Sequence, residues 1–186
     1  MTAAPFYERQ AMKYSLIDEA KLPRNRVAAA TVVIMVAFNG IFLSLNGLFM
    51  LIEPLAWYEL VPGVTDTGFF NQHFIRDIGM IQLFLGVAFG VGLFVPERRV
   101  GLWMAATSWL CAHALFHFWE VAVGICSPAV IPRDFPAVTL PALLGLALSF
   151  WAMRRARQAD GQFGAKGSQP VGERVCPCAR PRVSRT

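Results

Sequence analysis

The stretch Arg26–Ile52, which reads RVAAATVVIMVAFNGIFLSLNGLFMLI, decides the fold of this chain. After Arg26 it contains no charged side chain. A helix needs about 20 apolar residues to cross a hydrocarbon core about 30 Å thick. The stretch is therefore predicted to be a transmembrane helix. It follows a polar segment, residues 1–25, that has no small-residue cleavage site, so we expect a retained helix and not a signal peptide.

Three further segments have the same apolar character, at residues 70–95, 100–126 and 137–153. The whole chain of 186 residues is 55% hydrophobic and only 16% charged, with a mean hydropathy of +0.47. Soluble domains carry about 25% charged residues, so an ordinary soluble globule is excluded. We predict an all-α integral membrane bundle of four transmembrane helices over residues 26–153. Residues 1–25 precede it, and a basic tail, 154–186, is predicted to be disordered.

The distribution of positive charge predicts the orientation. Of the 17 Lys and Arg residues, all except Arg76 and Arg133 fall in residues 1–26, in the turn at 98–99 or in the tail. The positive-inside rule therefore places both termini in the cytoplasm. These basic residues lie outside the apolar segments and not among aromatic residues on a groove. The pattern favours the lipid bilayer as partner and excludes nucleic acid.

Two glycines on the second segment, Gly86 and Gly90, form a G-x-x-x-G step. Such steps allow two membrane helices to approach closely. The step predicts tight packing, either inside the bundle or between two copies of the chain.

Ionisable residues inside the apolar segments carry the functional signal. The third segment contains His113, His117 and Glu120, which fall within about 60° of arc on one helix face. The second contains His73 and Asp77, one turn apart. Charged groups at membrane depth are costly and mark functional sites by default. The sequence predicts a metal site in the outer half of the bundle, with these ligands: His73, Asp77, His113, His117 and Glu120.

Depth supports this interpretation, because the orientation was deduced without these residues. The first three predicted spans place polar residues in the outer half of the membrane. Asn46 and Glu53 on the first span reach the same layer, as does Arg76 on the second. We expect these three side chains to form a supporting polar layer around the ligands.

Several functions agree with this pattern. Imidazole and carboxylate ligands suit Zn, Fe or Cu. Haem is less favoured, because it would need only one histidine from each of two spans. A metal-free proton-linked or quinone-linked role remains open, as does an accessory or assembly subunit that binds another membrane protein or a second copy of the chain. A purely structural polar network is the remaining alternative. No catalytic residue is predicted.

The element Arg76-Asp77-Ile78-Gly79 opens the second span and is followed by a Leu-Gly-rich stretch that ends at a short basic turn. Over residues 35–153 this pattern resembles the DoxX-like group of small bacterial inner-membrane proteins. The resemblance implies four spans in a bacterial inner membrane and a link to sulfur or quinone redox chemistry. The histidine-rich third span departs from the group, so no site residue is carried over from it.

Overall fold

The computed structural model describes the backbone of residues 25–167 and the side chains of residues 25–159. All regular structure in this part of the chain is helical. In chain order the helices are α1 (Arg26–Ile52), α2 (Pro54–Leu60), α3 (Gln72–Phe94), α4 (Pro96–Ala122), α5 (Val130–Asp134) and α6 (Leu140–Gly167). A 3₁₀ turn at Val64–Asp66 follows α2, and a π-helical turn at Phe135–Thr139 joins α5 to α6.

Three helical segments are long and apolar enough to cross a membrane: α1, α3 and the continuous run Val130–Ala159. Only 22% of the most apolar window of α1 is buried inside the protein, so most of its apolar surface faces outward. Outward apolar surface of this extent is what lipid covers in a membrane protein. The chain is therefore a membrane protein. The remaining predicted span, 100–126, corresponds to α4, whose apolar residues are interrupted by Thr107, His113 and His117, and it does not reach the same hydropathy.

Local chemistry explains where the helices begin and end. The predicted span 26–52 coincides with α1. Asn71 caps α3, because its Oδ1 accepts a hydrogen bond from the Phe74 N–H at 3.1 Å. Pro96 occupies the first turn of α4, where its missing N–H costs nothing. Beyond the end of α4, Gly124 adopts a φ of 77°, a left-handed conformation that stops the helix.

The last helix differs from its prediction at both ends. The predicted span 137–153 lies inside a helical run that starts at Val130, and the π-helical turn accommodates Pro136. The tail predicted to be disordered from residue 154 begins instead as helix, since α6 continues to Gly167. No proline occurs between Pro141 and Pro170, and residues 154–158 are good helix formers. Residues 1–24 and 168–186, with the rest of the predicted tail, lie outside the described residues.

The long helices pack in a defined order. α1 packs along α3, α3 along α4 and α4 along α6, with a smaller contact between α1 and α6. The connection 53–71 and the connection 123–129 lie at one end of the protein, which we call the loop end. The opposite end carries the tight turn at Val95.

Glycines set the distance between α1 and α3. A Cβ added at Gly47 would lie 2.5 Å from the carbonyl oxygen of Gly79, and one added at Gly86 would lie 2.7 Å from that of Gly40. These pairs are seven residues apart on each antiparallel helix, so the backbones approach at both points. A Cβ at Gly90 would meet nothing within 4 Å. The predicted close approach is therefore confirmed for Gly86, inside the chain, whereas a side chain at Gly90 would have open space.

Two buried polar contacts join α6 to its neighbours. The fully buried Asn39 of α1 donates from Nδ2 to the carbonyl oxygen of Pro141 at 3.0 Å. The hydroxyls of Thr107 on α4 and Ser149 on α6 lie 3.0 Å apart. Each contact satisfies polar groups in the apolar interior.

At the turn end, Arg99 of α4 is 4% exposed and reaches back to the last turn of α3. Its Nε donates to the carbonyl oxygen of Gly92 at 2.7 Å, and its Nη2 to that of Leu93 at 3.0 Å. The guanidinium carbon lies 5.3 Å from the ring centroid of Trp103 and 5.4 Å from that of Trp151. A positive charge beside a helix C-terminus is stabilising, and the indoles add cation–π attraction.

We predict that Gly86→Ala lowers the free energy of unfolding by about 1–3 kcal/mol, because the new methyl group overlaps the backbone of α1. Gly90→Ala is the matched control, four residues away on the same helix, and its change stays within about 1 kcal/mol. Unfolding of the purified protein in mixed micelles by added sodium dodecyl sulfate measures both. Equal losses in the two variants would contradict the packing of α1 on α3 described above.

Candidate functional site

Two of the predicted polar residues on α1 have structural partners. Asn46 accepts a hydrogen bond at Oδ1 from Trp57 Nε1 at 3.0 Å, which fastens the short helix α2 to α1. Glu53 joins the two helices: its N–H donates to the Phe49 carbonyl oxygen at 2.9 Å, and its side chain is exposed. Neither residue contacts a histidine among the described residues.

The predicted residues of α3 form local contacts at the loop end. His73 Nε2 lies 3.4 Å from Asp77 Oδ2, and their side chains are 90% and 46% exposed. Arg76 donates from Nε to the carbonyl oxygen of Leu51 at 3.1 Å. Arg76 therefore satisfies a free carbonyl at the end of α1, as Arg99 does for α3.

The histidines of α4 form a second and more enclosed group. The ring centroids of His113 and His117 are 4.8 Å apart in an edge-to-face arrangement. His117 Nδ1 lies 3.3 Å from Oδ2 of Asp134, and these side chains are only 29% and 17% exposed. The face of α4 that carries His117 thus meets α5 and not α3.

Asp134 is held from its other side. Arg133 donates from Nε to Asp134 Oδ1 at 2.7 Å, and its Nη1 lies 3.6 Å from Oδ2 of Asp66 in the 3₁₀ turn. The chain of contacts runs from His117 through Asp134 and Arg133 to Asp66. It joins the connection 53–71 to α5 and α4 by charged side chains, and the Arg133 guanidinium keeps positive charge beside the Asp134 carboxylate.

Glu120, the third polar residue predicted on this face of α4, has a backbone role. Its carbonyl oxygen accepts from the N–H groups of Ile125 at 2.9 Å and Cys126 at 3.2 Å, at the end of the helix. Its half-buried side chain makes no hydrogen bond or ion pair with residues 25–159. The carboxylate that pairs with His117 is that of Asp134, not of Glu120 or Asp77.

A small cavity lies beside this group. Its walls are His117 and Asp134 together with the apolar side chains of Phe118, Ile131 and Val138. Its volume of about 10 Å³ is close to the minimum that one water molecule needs. A water there would contact both the imidazole and the carboxylate.

The predicted set of five metal ligands is not brought together. Within residues 25–159 no three His, Cys, Asp or Glu side chains are grouped so that they could hold a metal ion. The set is divided because His73 and Asp77 pair with each other on the exposed first turns of α3, whereas His117 of α4 pairs with Asp134 of α5. The three helices share one end of the protein, but the predicted ligands on them do not form one group in the described residues.

Sequence reasoning missed Asp134, Arg133 and Asp66, because all three read as loop residues. The available signal was the adjacent pair Arg133-Asp134 inside an otherwise apolar run that continues into the last helix. A charged pair next to such a run needs a partner, and the nearest ionisable residues of the preceding helix are Glu120, His117 and His113.

No family model, no curated protein and no solved structure matches this chain. The resemblance to the DoxX-like group is therefore neither supported nor contradicted and stays a prediction. The function has to be inferred from the site itself.

Proposed function

We propose that the chain crosses the membrane four times, with α4 as the additional span and both termini in the cytoplasm. The 27 residues of α4 extend about 40 Å, more than the hydrocarbon thickness. α4 also packs against both α3 and α6, so it shares the layer that those helices occupy. The Lys and Arg residues are concentrated away from the loop end, so the positive-inside rule makes the loop end the outer end. The resemblance to the DoxX-like group implies that the membrane is a bacterial inner membrane.

We propose further that His113, His117 and Asp134 form a proton-relay site in the outer half of this bundle. The observation that carries the proposal is the 3.3 Å approach of His117 Nδ1 to the Asp134 carboxylate. A carboxylate in this position favours the proton on Nδ1 and leaves Nε2 able to accept a second one. Imidazole exchanges protons near neutral pH more readily than any other unperturbed side chain. The one-water cavity fits a proton relay and is too small for a quinone ring.

Polar groups deeper in the protein extend the proposed route. Thr107 lies six residues below His113 on α4, about 9 Å along the helix axis, and its hydroxyl contacts that of Ser149. On α1, the buried Oδ1 of Asn39 accepts no hydrogen bond from the described residues. Water is needed to bridge from His113 to these groups, and the unsatisfied Asn39 oxygen is a natural position for one.

The relay predicts proton flux through the reconstituted protein. Vesicles that contain a pH-sensitive dye, with potassium and valinomycin to balance charge, should acidify faster than protein-free vesicles when the outside is made acidic. His117→Gln and Asp134→Asn should each lower the protein-dependent rate by about 10²-fold, a typical contribution of a positioned acid–base group. His73→Gln, an exposed histidine at the same end, should leave the rate unchanged. A wild-type rate equal to that of empty vesicles, or full flux in His117→Gln, would refute the relay.

A metal ion is the second candidate function, and one observation favours it. A histidine that binds a metal through Nε2 characteristically has a carboxylate at its Nδ1, as His117 has with Asp134. His113 is one turn away and would be the second ligand. The remaining positions on Zn, Fe or Cu would be taken by water or an external ligand, and haem would require a histidine from another helix.

Elemental analysis tests this candidate on protein extracted in mild detergent without chelators or a metal-binding tag. The metal candidate predicts about one equivalent per chain in the wild type and none in the His113→Ala/His117→Ala double variant. Retention of stoichiometric metal in the double variant, or its absence from the wild type, would eliminate the candidate. A role as an accessory subunit, bound to another membrane protein or to a second copy, stays a prediction, since no contact in the described residues favours it.

A further inference from the structure

The guanidinium of Arg133 lies directly on the backbone of Gly63, in the first connection of the loop end. A Cβ added at Gly63 would overlap all three terminal atoms of the guanidinium, its carbon and both Nη atoms. Gly63 also has a φ of 83°, so it turns the chain beneath Arg133. The absence of a side chain at this position is what leaves room for the guanidinium.

Asp66 provides a second hold on the same side chain. It lies three residues after Gly63, in the 3₁₀ turn, and its N–H donates to the Gly63 carbonyl oxygen at 3.2 Å. Its Oδ2 is 3.6 Å from Arg133 Nη1. Gly63 and Asp66 therefore hold the Arg133 guanidinium together, and we call this pair the seat of Arg133. Gly63 leaves space for the guanidinium, and the Asp66 carboxylate attracts it.

Arg133 in turn positions the Asp134 carboxylate beside His117. Its Nε faces Oδ1 of Asp134 at 2.7 Å, while the other carboxylate oxygen faces His117 at 3.3 Å. Arg133 Nη2 also donates to Oδ2 of Asp134, at 3.4 Å, so the guanidinium holds both carboxylate oxygens. A carboxylate held on both oxygens keeps a fixed plane, so Oδ2 stays directed at the imidazole. Adjacent residues such as Arg133 and Asp134 do not hold each other rigidly without an outside support, and the seat on the first connection is that support.

We propose that Gly63 and Asp66 act as positioning residues, which seat Arg133 so that Arg133 directs the Asp134 carboxylate toward His117. The first connection thereby becomes part of the histidine site, although it contributes no group to it. The inference rests on the site of the proposed function and names what keeps that site assembled. Its test uses a spectroscopic property of His117, so it does not depend on proton flux.

The tautomer of His117 reports this arrangement. The full chain has three histidines, so ¹⁵N-histidine labelling in lipid nanodiscs gives few resonances, which His73→Gln and His113→Gln assign. In alkaline buffer, in which imidazoles are neutral, the wild type should show His117 with its proton on Nδ1. Gly63→Ala should change the ratio of the two tautomers by roughly fivefold, equivalent to about 1 kcal/mol. Asp66→Asn should change the ratio in the same direction. Asp66→Glu keeps the negative charge and should leave the ratio as in the wild type.

Gly124→Ala is the matched control. Gly124 has a φ of 77°, close to that of Gly63, and a Cβ there would meet nothing within 4 Å. It carries the same backbone strain without touching Arg133, so the His117 tautomer should remain as in the wild type. A thermal or detergent unfolding midpoint equal to that of the wild type verifies that each variant is folded.

The outcomes are distinct. A wild-type tautomer ratio in Gly63→Ala, or an equal change in Gly124→Ala, would overturn the positioning role. A change in Gly63→Ala alone supports it, whether or not the vesicles show proton flux. Absence of flux from a wild type with the expected tautomer would refute the relay and leave the positioning role intact.

Discussion

The backbone carbonyls at the helix ends have to be paired, and this requirement organises the protein. The last four carbonyls of a helix have no partner within the helix, and each one that is buried without a partner costs free energy. Arg76 on α3 binds the end of α1, and Arg99 on α4 binds the end of α3. Each arginine also places positive charge at the negative end of a helix dipole. The two contacts fix the axial positions of α1, α3 and α4 relative to one another.

With the axial positions fixed, side-chain size decides which faces meet. The glycines at 40 and 47 on α1 and at 79 and 86 on α3 allow these two helices to approach at the backbone. α4 then packs on α3 through Trp103, which is fully buried and donates to the Phe89 carbonyl oxygen at 3.0 Å. This contact uses one face of α4, so its histidine face is left for α5. The location of the His117–Asp134 contact therefore follows from the packing of α1, α3 and α4 nearer the turn at Val95.

Much of the architecture could be predicted from the sequence, because length and hydropathy report directly on membrane crossing. The apolar segments matched α1 and α3 closely, and the third membrane-long run contained the predicted segment 137–153. The choice of Gly86 for close packing was also correct. The other glycine of the step, Gly90, has open space at its Cβ position, since only the structure shows which face of α3 meets α1. The persistence of α6 beyond residue 154 was missed, since composition reports on burial and less on local helix propensity.

The candidate site was predicted only in part. Spacing along one helix placed His113 and His117 together, and it placed His73 near Asp77. Spacing cannot give the rotation of α4 about its axis, and that rotation directs His117 to Asp134 and away from α3. Arg76 was expected in a polar layer and instead binds a backbone carbonyl, a partner that no pattern of side chains displays.

The central claim is that α4 spans the membrane and carries its histidines in the outer half. Thiol labelling of single cysteines at its two ends tests this most directly, in a variant that lacks the four native cysteines. Arg98→Cys and Ser127→Cys place one exposed thiol at each end of the helix. In right-side-out vesicles a membrane-impermeant maleimide should label residue 127 at once and residue 98 only after permeabilisation. Labelling of both residues from the same side would contradict the four-span topology and the outer position of the site.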